Sequence, residues 1–110
     1  MSDSENRCGA LVWSPFPDMG SASTAANVLL DEKLVACANM IPQMVSIFGW
    51  KGEREQSSET GALFKTNAAL LGKAIERIGE LHPYEEPAIL GWRCDEGAPA
   101  TLAWLEELEQ

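Results

Sequence analysis

A chain of 110 residues in which 45% are hydrophobic, with four Trp and three Phe, has room for one domain and enough apolar side chains to bury a core; this excludes a disordered tail. Seventeen acidic residues against eight basic give a formal charge of −9. That sign is wrong for displacing counterions from nucleic-acid phosphates and for adhering to an anionic membrane face. Cys8, Cys37 and Cys94 are odd in number and far apart, so they form no disulfide framework and suit a reducing cytoplasm.

The polar start, Met1 to Asn6, reads as a frayed, disordered end, and residues 7–110 as a single domain. The apolar run Ala10 to Trp13 is far too short for a signal-peptide core or a membrane span, which makes the cytoplasm the expected compartment. Arg7 to Ser14 predicts a first strand, stopped by Pro15-Phe16-Pro17. Asp18 then caps a helix whose Ala22, Ala25, Ala26, Leu29 and Leu30 share one face. Leu34 to Trp50 has strand character on both sides: Val35, Cys37, Ile41, Val45 and Ile47 on one, Met40, Met44, Phe48 and Trp50 on the other. Pro42 cannot donate to a ladder, so a bulge or an edge position is expected there. Lys51-Gly52 reads as a tight turn into a returning strand over residues 53–66, polar first and apolar later.

Asn67 is expected to cap a second helix with Leu71, Ala74, Ile75 and Ile78 on its apolar face, and Pro83 to end it by excluding helical geometry at His82. After H-P-Y-E-E-P, Ala88 to Cys94 predicts another strand, Asp95-Glu96-Gly97 a turn, and Pro99 the start of a last helix packing through Leu102, Leu105 and Leu108 with Trp104 on its apolar side. The order is β-α-β-β-α-β plus a C-terminal helix, a ferredoxin-like α+β arrangement with helices on one face of an antiparallel sheet. The other face has no helix to cover it, and a hairpin this long overruns the core of one subunit. Copies of the same chain are the simplest cover, with Trp50 at the hairpin tip as the leading interface residue.

Catalysis finds little support in the residues. There is one histidine, no G-x-S-x-G, no P-loop and no glycine-rich dinucleotide turn. His82 with Glu85 and Glu86 offers an imidazole and carboxylates within five positions, a donor mix that suits Cu(II) or Zn(II), yet too few ligands for a structural zinc site in one chain. The plainer alternative makes His82 and Tyr84 a packed helix exit, with Glu85 and Glu86 in water. Glu53, Glu55 and Glu59 share a strand parity and read as a solvated or intersubunit salt-bridged face.

Several of these segments together resemble a known family. L-L-D-E-K-L-V-A-C-A-N-M-I-P from Leu29 to Pro42, S-I-F-G-W-K-G from Ser46 to Gly52, F-K-T from Phe64 to Thr66, H-P-Y-E-E-P from His82 to Pro87 and T-L-A-W-L from Thr101 to Leu105 are similar, in order, to the CutA divalent-cation tolerance proteins. The resemblance implies a homotrimer with the long hairpin pairing across subunits, an architecture like that of the PII signalling proteins. It also implies tolerance to copper and other divalent cations, with no enzymatic activity. In metal-binding members the ligands are a Cys at the end of the first strand and a His-His pair before P-Y. Those positions hold Trp13 and, ahead of His82, Leu81, while Ala88 stands where an acid is frequent and Phe48 where Tyr is usual. The implied metal pair is therefore His82 with Glu85, for weak Cu(II) or other divalent-cation binding. A PII-like regulator taking a small metabolite or a protein partner in an intersubunit cleft is the alternative.

Overall fold

The structure, a computed structural model, describes residues 8–108. The frayed start expected for Met1 to Asn6 lies outside the described residues. Seven elements follow one another: β1 (Gly9–Phe16), α1 (Met19–Asp31), β2 (Cys37–Trp50), β3 (Glu53–Asn67), α2 (Leu71–Leu81), β4 (Leu90–Arg93) and α3 (Pro99–Glu106). The four strands make one antiparallel sheet in the order β2-β3-β1-β4.

β1 does not stop before Pro15 but runs through it to Phe16. The register supplies the reason. Odd residues of β1 turn their backbone groups toward β4, as Gly9 does in accepting from the Cys94 N–H at 2.8 Å. β4 ends at the Trp13↔Leu90 pair, so the missing N–H of Pro15 falls where no strand remains to receive it. Asp18 caps α1 as expected, its carboxylate accepting from the Ser21 amide at 2.7 Å. Leu30 departs from the expected buried face and is exposed. The helix closes with Lys33 in the left-handed region (φ 62°), where Leu34 N–H reaches Leu29 O and Lys33 N–H reaches Leu30 O.

The even residues of β1, Ala10, Val12, Ser14 and Phe16, are buried beneath α1 and α2 together with Thr60, Ala62, Phe64 and Thr66 of β3. Ala22, Ala25, Ala26 and Leu29 of α1 and Ala74 and Ile78 of α2 complete this core. At Pro42 the expected bulge is present: the pairing runs Ile41↔Gly61 and then Met44↔Glu59, so Pro42 and Gln43 (φ 56°) oppose one residue. The extra residue reverses parity along β2. Ile41 and Met44 thus share a face, which corrects the continuous odd-even division read from the sequence. From there to Trp50↔Glu53, seven cross-strand pairs carry the hairpin roughly 24 Å past the body of the sheet. Lys51 (φ 53°) and Gly52 (φ 80°) form its two-residue turn, the geometry whose twist matches the flanking strands.

Asn67 ends β3 and does not cap α2 directly. Its Oδ1 accepts from Leu70 N–H at 3.0 Å in the turn before the helix, and its Nδ2 donates to Leu105 O at 2.9 Å, tying α3 down. Leu105 is buried as expected, whereas Trp104 is 43% exposed, off the packed side of α3. β4 is shorter than the stretch Ala88 to Cys94. The sheet face opposite the helices stays open and greasy. Leu90 and Trp92, register partners of Trp13 and Leu11, are 66% and 45% exposed there.

Candidate functional site

α2 ends where the sequence says it must. His82 precedes Pro83 and turns extended (φ −73°, ψ 136°), which swings its ring inward. The ring stacks on Phe16 with centroids 4.0 Å apart and planes inclined by 19°, and it is 8% exposed. Tyr84 N–H donates to His82 Nδ1 at 3.2 Å, so Nε2 carries the proton and donates it to Pro15 O at 2.9 Å. Burial holds the imidazole below its ordinary pKa, with the Pro15 carbonyl and the Glu59 charge pulling weakly the other way. His82 is therefore neutral, and both its nitrogens are engaged by backbone.

Tyr84 extends the cluster outward. Its ring lies 5.1 Å from that of His82, and its hydroxyl donates to Glu59 Oε2 at 2.7 Å. Burial first, and then this bond to a carboxylate, push the phenol up to about 12. Further along the segment, Ser14 Oγ donates to Ala88 O at 2.8 Å and pins it to β1. Glu85 and Glu86 are exposed. The acid tied to His82 and Tyr84 is thus Glu59 of β3, which the sequence reading assigned to a solvated or intersubunit salt-bridged face. The signal that locates it is register: Pro15 pairs with Gly61, which brings Glu59 level with the residues after β1.

Between this segment and the open face of the hairpin lies a groove of about 490 Å³. Phe48, Trp50 and Tyr84 supply aromatic walls, Pro15 and Ala88 a small apolar floor, Ser46 and Ser57 hydroxyls, and Glu59 and Glu86 carboxylates. The bulge makes this possible, since it places Ser46, Phe48 and Trp50 opposite the odd residues of β3. A second groove, about 340 Å³, separates the end of α1 from α3 beside Leu30, Lys33 and Trp104. Among the described residues, no group of three or more His, Cys, Asp or Glu side chains is placed to hold a metal ion, and no helix is long and apolar enough to cross a membrane.

Fold and site define an α+β sheet protein that leaves one apolar face and one acidic, aromatic groove open to solvent. Residues 10–108 match the CutA1 divalent ion tolerance proteins, and the chain belongs to that family. The divalent-cation tolerance protein CutA of Pyrococcus horikoshii is 40% identical over 97 residues, covering 88% of this chain and 94% of the relative. The crystal structure of CutA from Xylella fastidiosa superposes with a TM-score of 0.88 at 35% identity, covering 93% of this chain and 98% of that one. A structure from Archaeoglobus fulgidus described as a periplasmic divalent cation tolerance protein reaches 0.85 at 27% identity over 91% of this chain and 97% of its own. The Pyrococcus horikoshii and Archaeoglobus fulgidus relatives carry the names of tolerance proteins and not of enzymes.

Proposed function

We propose that this chain is a cytoplasmic homotrimer of the divalent-cation tolerance class. Residues 7–110 form one ferredoxin-like domain that binds Cu(II) or another divalent cation weakly and performs no catalysis. The carrying observation is the uncovered apolar surface. Ile41, Phe48, Trp50, Leu90 and Trp92 on the open face, with Val45 and Ile47 behind the projecting hairpin, are each more than 40% exposed. At about 25 cal/mol per Å², covering such a surface with further copies is strongly favourable. Light scattering tests it: the expected mass is close to three times 12.0 kDa, and a folded monomer refutes it.

The metal reading places His82 and Glu85 as the ligand pair. A cation reaches His82 Nδ1 only after Tyr84 N–H lets go, and that competition keeps affinity low. Calorimetric titration with Cu(II) near neutral pH is expected to saturate and to weaken in Glu85→Gln; equal heats in wild type and variant refute the pair. Acid weakens binding too, because a ligating imidazole must be unprotonated. The second reading, a PII-like regulator with an intersubunit cleft, is favoured by the 490 Å³ groove, whose Glu59 and Glu86 oppose an anionic metabolite.

A further inference from the structure

We infer that the groove between the hairpin and the segment 82–88 is a binding site for a small organic cation, an alkylammonium or quaternary ammonium, received on the faces of Phe48, Trp50 and Tyr84 and neutralised by Glu59 and Glu86. Its volume of about 490 Å³ falls within the roughly 300–1,000 Å³ of small-ligand sites. The lining decides the ligand class. Three aromatic rings and two carboxylates line the groove, while no Lys or Arg does. An anion meets carboxylates there. A hydrated metal ion gains nothing from the rings, which offer it no lone pair. An ammonium on an apolar body uses both features.

Two further observations bear on the site. Lys51 Nζ stands 5.9 Å from the centroid of the Trp50 ring, so a ligand's ammonium must share that ring with the chain's own. The Tyr84 hydroxyl occupies Oε2 of Glu59, fixing that carboxylate against the groove before any ligand arrives. Such preorganisation lowers the ordering cost of binding. The inference goes beyond the metal reading and does not rest on it.

Choline is a suitable probe, and 3,3-dimethylbutan-1-ol is its uncharged isostere. Calorimetric titration of the full chain in its native assembly, with EDTA throughout, is expected to give saturable choline binding. The isostere should bind about ten-fold or more weakly, and Trp50→Leu and Glu59→Gln should each weaken choline by a similar factor. Because Trp50 is also an expected interface residue, Glu86→Gln, exposed and outside every strand, is titrated beside it with its light-scattering mass checked against wild type; it should weaken choline several-fold. Equal binding of choline and its isostere, unchanged affinity in Glu59→Gln and Glu86→Gln, or no saturable choline binding overturns the inference. With metal chelated, none of these outcomes reports on the Cu(II) site.

Discussion

Phe16 is wholly buried, its ring stacked on His82 at 4.0 Å and meeting Phe64 edge-on at 6.4 Å, so it joins the core to the candidate site. Replacing it with Leu keeps most of the apolar volume but removes both ring contacts, each worth about 0.5–1.5 kcal/mol, for an expected loss of about 1–3 kcal/mol. Phe16→Ala opens a cavity as well and should cost about 3–5 kcal/mol, a large share of the roughly 5–15 kcal/mol that holds a typical domain folded. Urea unfolding followed by tryptophan fluorescence reads these losses, at one fixed protein concentration because association contributes to stability. His82 gives a second readout, since it is the chain's only histidine and its ring proton titrates as a single NMR resonance. In the wild type it should titrate below its ordinary 6.5, and in Phe16→Ala, where water enters beside the ring, the midpoint should rise toward that value. A wild-type midpoint at or above 6.5, or no movement in the variant, would refute the claim that burial against Phe16 keeps the imidazole neutral.

The same histidine sets a pH dependence. Its folded pKa is depressed, so the unfolded chain takes up a proton near pH 6.5 that the folded chain refuses; stability is full above that pH and declines as acid is added, down to the folded midpoint. Urea midpoints across this range should fall with pH, and less steeply in His82→Gln. Asn67→Ala strips buried partners from Leu70 N–H and Leu105 O, for an expected cost of about 1–3 kcal/mol, with hydrogen exchange rising first in α3. At Gly61 a Cβ would run into the Trp13 ring and stand 3.1 Å from Met44 Sδ, so Gly61→Ala should destabilise by about 1–3 kcal/mol and alter the near-ultraviolet dichroism of Trp13. Trp50→Asp should shift light-scattering mass toward smaller species; undiminished mass would argue against an interface at the hairpin tip.

Much of the architecture was legible because local chemistry and packing agree. Asp18, Lys51-Gly52 and Pro83 each impose a backbone event that no neighbour overrides, and the alternation in β1 and late β3 matches a sheet covered on one side. Failures arose where a distant strand decides the outcome. Pro15 is tolerated inside β1 only because β4 is too short to meet it, and the Ala88 carbonyl, two residues ahead of β4, is taken by the Ser14 hydroxyl instead. Nothing near Leu30 in sequence announces that the helix face turns away from the sheet before its last residue. The histidine was visible as a donor, but its two satisfied nitrogens are contributed by Pro15 and Tyr84 through folding, and Glu59 enters by register alone.

The irregularity at Pro42 and Gln43 works as a frame-shift in three dimensions. Removing one of those two residues would let the other stand alone opposite Thr60, leaving Ile41↔Gly61, Met44↔Glu59 and the turn at Lys51-Gly52 as they are. The aromatic wall would keep its direction, and only the local bend and added twist of the bulge would be lost. The hairpin therefore has one place where a residue can be dropped without re-addressing the side chains it presents.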